Sequence, residues 1–165
     1  MKLEGACHCR AVTFSCRSAA PYPYQRCYCS ICRKTAGAGG YAINIMAAAD
    51  SLRVTGKRHL KVYRARLGDR ADADAHGRSP GQRHFCGECG SPLWLFDPRW
   101  PELVHPFASA IDTPLPVPPE RVHMMLDFAP AWCEPDLRPQ DARFGGYPEE
   151  SIEEWHRRHG LWQRS

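Results

Sequence analysis

The sequence predicts a mainly β, antiparallel fold stapled by zinc, and three observations carry that expectation. Short segments alternate apolar and polar residues, fifteen prolines and thirteen glycines punctuate them, and seven of nine cysteines stand in C-x-C or C-x-x-C spacing. Alternation puts every second side chain on one face of a sheet. Frequent proline and glycine keep strands short and turns tight. Cysteines this close in sequence aim their sulfurs at one point and suit a metal better than distant disulfide partners.

The first strand candidate, "AVTFSC", places Val12, Phe14 and Cys16 on one face. "YAINIM" does the same with Tyr41, Ile43 and Ile45, and "HLKVYRA", "PLWLF" and "RVHMML" follow. "SICRKTAG" suits one short helical turn after the cysteines. "RLGDRADADAHGRSPGQR" (Arg66 to Arg83) is polar, carries mixed charge, and reads as a solvated excursion between strands. "TPLPVPPE" is extended, because proline fixes φ and donates no backbone hydrogen bond. "YPEESIEEWHRRHG" predicts a C-terminal helix with Pro148 in its first turn, Glu149 and Glu150 at its positive end, and Arg157, Arg158 and His159 at the other. Gly160 ends it, and Ile152, Trp155 and His156 share the face that packs on the sheet.

A length of 165 residues fits one domain, 1–165, with a zinc-binding β core over about 3–133 and a C-terminal extension whose helix spans about 147–160. No apolar run reaches the ~18 residues of a membrane span, and the start "MKLEGACHCR" lacks a signal-peptide core. A soluble, cytoplasmic protein is expected. The net charge of +4 is scattered rather than blocked, which argues against a dedicated nucleic-acid surface.

The cysteines form three clusters. Cys86 and Cys89 ("FCGECGSPL") make a zinc knuckle, with Gly87 and Gly90 free to turn the backbone. Cys7 and Cys9 ("GACHCR") can complete it as a closed four-thiolate site. Subtraction then leaves Cys27, Cys29 and Cys32 ("RCYCSICRKTAG") together, three ligands with one open position, the pattern of a catalytic zinc. A second partition joins Cys86 and Cys89 to two of the trio and leaves Cys7 and Cys9 loose; spacing alone does not exclude it.

"GACHCRAVTF", "CYCSICRKTAG" and "RHFCGECGSPLW" together resemble the glutathione-dependent formaldehyde-activating enzyme family, which also includes centromere protein V; the resemblance covers about Gly5 to Trp132. It implies a β-tent of packed sheets and two zinc ions per chain. The structural zinc is implied at Cys7, Cys9, Cys86 and Cys89, and the catalytic one at Cys27, Cys29 and Cys32. It also implies a carbon–sulfur lyase, or its reverse, using glutathione and formaldehyde. The chain departs from the common family pattern at Ala129, before Pro130, where many members carry lysine, and in "HPFASAIDTPLP".

Zinc held by three thiolates is soft and matched to a sulfur ligand. A thiol bound there loses its proton and can add to an aldehyde carbonyl, giving a hemithioacetal. Arg33 and Lys34 follow the trio and can attract a carboxylate-bearing thiol; equally they can be solvated charges on a short helix. Ser30 and Thr35 can donate to sulfur or simply cap a turn. His8 and His84 read as strand-surface residues. His59, His105 and His123 are weaker candidates for an acid/base or a fourth ligand, and Asp112 reads as a turn cap. Cys16 continues an apolar strand face, whereas Cys133 can close the second site if the chain returns there. Trp94 and Trp100 are candidate glutathione contacts. The competing functions are a zinc-stapled binding module for chromatin, nucleic acid or protein, and a thiol redox sensor that loses zinc on oxidation.

Overall fold

The computed structural model describes residues 1–71 and 73–163. Its strands are β1 (Lys2–Ala6), β2 (Thr13–Arg17), β3 (Gln25–Cys27), β4 (Ala42–Ile43), β5 (Ala47–Ala48) and β6 (Arg53–Thr55). Then come β7 (Leu60–Arg66), β8 (Arg78–Cys86), β9 (Pro92–Phe96), β10 (Leu103–Pro106), β11 (Val122–Met124) and β12 (Ala142–Arg143). Two α-helices accompany them, α1 (Ser30–Ala36) and α2 (Ile152–Arg158). Among the described residues the strands form three sheets, ordered β1-β2-β6, β5-β10-β9-β8-β7 and β12-β11-β3-β4. Among the described residues no helix is long and apolar enough to cross a membrane.

The mainly β expectation holds, with refinements. The first two sheets are antiparallel throughout, whereas the third contains parallel pairs, β11 with β3 and β11 with β12. Val12, Phe14 and Cys16 share the buried face as their alternation requires. "YAINIM" does not behave as one alternating strand. Ala42 and Ile45 are buried rather than Tyr41 and Ile43, because the chain leaves the third sheet after β4 and enters the second at β5. The polar excursion is shorter than its composition implies, since β8 begins at Arg78 and pairs with β7 on one side and β9 on the other.

The five-stranded sheet separates two cores, and its register shows how. Directly opposite residues share a face, while successive residues alternate. Arg83 lies opposite Leu95, and His84 opposite Trp94. Trp94 packs with Leu3, Val12, Phe14 and Val104 in a core shared with the first sheet. Leu95 packs with Cys27, Ala42, Phe107 and Met124 in a core shared with the third. The register shift between His84 and Phe85 breaks the alternation of β9, so neighbouring Leu93 and Trp94 enter the same core.

Helix α2 covers the third sheet. Trp155 is fully buried and stacks on Tyr24 at 3.8 Å between ring centroids, and His156 is equally buried. The helix starts four residues later than Pro148, at Ile152. Ser151 is its cap: the Ser151 hydroxyl accepts from the Glu154 amide at 3.2 Å, and the Glu154 carboxylate accepts from the Ser151 amide at 2.7 Å. This reciprocal arrangement satisfies two otherwise orphaned donors, and Glu153 and Glu154, not Glu149 and Glu150, are the acids of the first turn. Ser151→Ala is expected to cost about 1 kcal/mol, read as a lower urea midpoint with an unchanged slope; an unaltered midpoint would show the cap to be idle.

Candidate metal centres

The first centre is built from two turns far apart in sequence. After β1 the chain reverses tightly: Cys7 accepts from the Arg10 amide at 2.9 Å through its carbonyl, and Arg10 takes the left-handed φ of 60°. The Val12 amide donates to Cys7 Sγ at 3.2 Å. The opposing turn follows β8, where the Gly90 amide donates to the Cys86 carbonyl at 2.9 Å and Gly90 adopts φ +74°. A left-handed residue here favours glycine, as a zinc knuckle demands.

These turns bring Cys7, Cys9, Cys86 and Cys89 together with all four sulfurs within 4.8 Å of one another. The Cys7–Cys9 and Cys9–Cys86 sulfur separations are 3.6 and 3.8 Å. A tetrahedral thiolate site with metal–sulfur bonds of about 2.3 Å requires sulfur edges of about 3.8 Å. The donor set therefore fits a four-coordinate metal, and the partition that left Cys7 and Cys9 loose is not the one the fold adopts.

The second centre lies at the end of β3. Cys27 is the last residue of that strand, Cys29 caps α1, and Cys32 sits in the helix's first turn. The Cys32 amide donates to Cys29 Sγ at 3.4 Å. Cys27 and Cys32 are buried and Cys29 half-buried, beside Phe107, Met124 and Ala42. The three sulfurs also lie within 4.8 Å of one another, and among the described residues no further His, Cys, Asp or Glu joins them.

Crowding makes three negative sulfurs untenable without a cation. Hydrogen bonds from Cys27 and then Cys32 hold the Cys29 thiol far below its ordinary range, while the bond to Cys29, the bond to Cys32 and burial drive the Cys27 thiol far up. Ionising one sulfur therefore opposes ionising its neighbours. A divalent metal removes that conflict by stabilising every thiolate at once.

Two further side chains are linked to this trio, Arg83 by contact and Tyr147 by charge. Arg83 is 8% exposed and donates from Nη2 to Cys32 Sγ at 3.7 Å. Tyr147 is 72% exposed, yet its phenol is pushed up, by the surrounding protein first and then by the charges of Cys27, Cys29 and Cys32. Neither residue was a sequence candidate.

The remaining candidates fall elsewhere or take other partners. Arg33 and Lys34 lie in the last turn of α1, with Arg33 half-buried and its Nε without a partner and Lys34 exposed. Thr35 donates back to the Ile31 carbonyl at 2.7 Å rather than to sulfur. Cys133 is not a fourth ligand of the trio; its thiol lies 3.7 Å from the Gly39 carbonyl and against Gly40, whose φ is +92°. His8 is exposed, as alternation predicts, whereas His84 stacks on Trp94 at 5.0 Å. His59 pairs with Glu88 at 2.9 Å. Burial pushes His105 down, and His123 is fully buried with Nδ1 2.9 Å from the Tyr28 hydroxyl. Trp94 is a core residue edge-on to Phe14, and Trp100 lies beneath the Arg99 guanidinium.

Fold and donor sets together define a mainly β protein with two cysteine clusters that could hold a metal, one of four thiols and one of three among the described residues. The chain belongs to the glutathione-dependent formaldehyde-activating enzyme family, whose model matches residues 2–126. A Halomonas elongata protein carrying the provisional name glutathione-dependent formaldehyde-activating enzyme is 60% identical over 161 residues, 98% of each chain. A crystal structure of a Rhodobacter sphaeroides protein is 27% identical, covers 68% of this chain and 91% of that one, and aligns with a TM-score of 0.49.

Proposed function

We propose that this protein is a zinc-dependent carbon–sulfur lyase that makes and breaks the adduct of glutathione with formaldehyde, S-hydroxymethylglutathione, in the cytoplasm. One observation carries the reading: three converging thiols with no fourth protein ligand among the described residues. Family membership and the 60% identical relative supply the substrate pair. Cys7, Cys9, Cys86 and Cys89 would hold a structural zinc, and Cys27, Cys29 and Cys32 the catalytic one, within a single domain. Zinc at the trio would supply a soft cationic centre that stabilises a substrate thiolate.

The reaction balances without a redox partner. The thiol sulfur adds to the carbonyl carbon, the C=O π bond opens, and the thiol proton ends on the new hydroxyl; cleavage reverses each change. The chain's part is to gather the reactants and exclude competing water. Phe107 and Met124 back the trio with apolar surface. Arg33 and Lys34 would favour the carboxylates of glutathione.

The test is methylene exchange between formaldehyde and S-hydroxymethylglutathione, followed by two-dimensional exchange NMR at equilibrium. The zinc-loaded protein is expected to raise the exchange rate at substoichiometric concentration, and Cys29→Ser to abolish the increase. No acceleration over buffer would leave a binding module as the better reading. Zinc-edge X-ray absorption adds a second measure. Two zincs sharing seven thiolates give about 3.5 sulfurs per metal, rising towards four with glutathione. Four sulfurs from the outset, unchanged by glutathione, would mean that both sites are closed.

A further inference from the structure

Arg83 brings a buried guanidinium to a cluster of thiols, an arrangement that ordinary packing does not require. We propose that Arg83 is a positioning residue that allows the Cys27–Cys29–Cys32 site to take an anionic fourth ligand, a thiolate. The inference deepens the reading above and rests on it.

The placement follows from strand geometry. Arg83 and Cys86 stand three apart on β8, so strict alternation sends them to opposite faces of the five-stranded sheet. Cys86 faces the core of the closed cluster. Arg83, opposite Leu95, faces the core of the open one. Both faces are covered, so the arginine is held in the interior, where a charge is costly unless it is paired.

Its pairing is incomplete. Nη2 reaches Cys32 Sγ at 3.7 Å, but Nε is buried without a hydrogen-bond partner. Buried donors of this kind are rare, and each calls for a partner or a role. A ligand that brings an acceptor into the trio would supply what the protein leaves out.

Charge counting says which ligand benefits. Three thiolates around a divalent cation carry a net charge of −1, and a fourth thiolate makes it −2. Placed among Phe107, Met124 and Leu95, that second negative charge is poorly solvated. The Arg83 guanidinium returns the assembly to −1. A neutral fourth ligand adds no charge and gains nothing comparable. Arg83 thus favours anions over neutral ligands at the open position, and its contact with Cys32 also fixes one of the three sulfurs.

The experiment uses full-length protein loaded with Co2+, whose ligand-field and sulfur-to-metal charge-transfer bands report the open site directly. Wild type, Arg83→Gln and Arg83→Lys are titrated with 2-mercaptoethanol, which carries no carboxylate, and separately with neutral imidazole. The loss of a hydrogen bond to a charged group predicts thiol binding about 10- to 100-fold weaker in Arg83→Gln. Imidazole binding should be unchanged, and Arg83→Lys should recover most of the thiol affinity. Equal thiol affinity in wild type and Arg83→Gln overturns the proposal, as does an equal loss for thiol and imidazole, which a merely structural arginine would give. A wild-type spectrum that does not respond to thiol removes the open-site reading and the role of Arg83 with it. If Arg83→Gln fails to fold, Arg83→Lys carries the test: any loss of affinity must fall on the thiol and spare imidazole, and an equal loss for both overturns the proposal.

Discussion

Cys86→Ser is expected to lose the fold, whereas Cys29→Ser is expected to lose half of the bound metal and keep it. The asymmetry comes from what each cluster joins. Cys86 is fully buried at the end of β8, and its sulfur meets that of Cys9 across 77 residues of sequence. The closed cluster therefore ties the turn after β1 to the turn after β8, and with them the two sheets whose side chains form the first core. Cys27, Cys29 and Cys32 instead lie within one short turn and close no long loop. Structural zinc contributes about 10–16 kcal/mol of apparent folding free energy in small metal-bound peptides, as much as the whole stability of an ordinary domain, about 5–15 kcal/mol. Breaking the four-thiolate set should thus leave a chain without cooperative unfolding, while the trio variant still melts as a folded protein. Calorimetry paired with metal analysis checks both. A Cys86→Ser protein that retains two metals or melts near the wild-type temperature would refute the cross-link.

Much of this division was legible in the sequence, because it depends on spacings of two and three residues that local turns alone can read. Spacing allowed Cys7 and Cys9 to complete the Cys86–Cys89 knuckle but left a second partition open, the family resemblance implied the four-cysteine set, and the fold brings those four together. Strand β2 was legible for a similar reason: one of its faces is buried, so Val12, Phe14 and Cys16 leave an alternating trace. Arg83 was hidden because both faces of its strand are covered, and a charge on such a strand need not point to solvent. His123 was a weak acid/base or fourth-ligand candidate, but its pairing with Tyr28 and Asp141 left no trace, since all three residues of β11 are buried and no period survives. The helix was found but its start was misplaced. Proline at position 148 outweighed the capping box written in "SIEE", which begins at Ser151. What the sequence leaves unread is long-range polar pairing, where the partners come from separate loops and share no pattern.

Asp141 is the clearest case of such pairing, and Asp141→Asn carries the second large expectation. Its side chain is completely buried, 2.6 Å from Arg121 Nη2 and 3.0 Å from Arg138 Nη2, and it accepts from the amides of Arg121 and Arg138 at 3.0 and 2.9 Å. His123 Nε2 lies 3.6 Å away, with the Tyr28 hydroxyl on its other nitrogen. Tyr28 stands between Cys27 and Cys29, and β11 runs beside Cys27. The carboxylate therefore anchors the back of the open metal centre. Removing one partner of a buried ionic pair costs about 3–5 kcal/mol, and the Arg121 guanidinium, 10% exposed, is the charge left in the interior here. The pH dependence gives the sign independently. Burial pushes the Asp141 carboxyl up, but the Arg121 bond and the amides of Arg138 and Arg121 outweigh it and hold the group below the usual carboxylate range. A carboxyl lowered in the folded state contributes stability that is complete above its unfolded value, about 3.9, and is lost as pH falls towards the folded one. The difference in stability between wild type and Asp141→Asn should thus be largest at neutral pH and narrow progressively below about pH 5. The comparison is confined to pH values at which metal analysis shows both proteins still fully loaded, so that acid release of metal does not enter the difference. Urea unfolding across this range decides the matter: a gap that stays constant or widens on acidification would mean that Asp141 does not act as a carboxylate anchor.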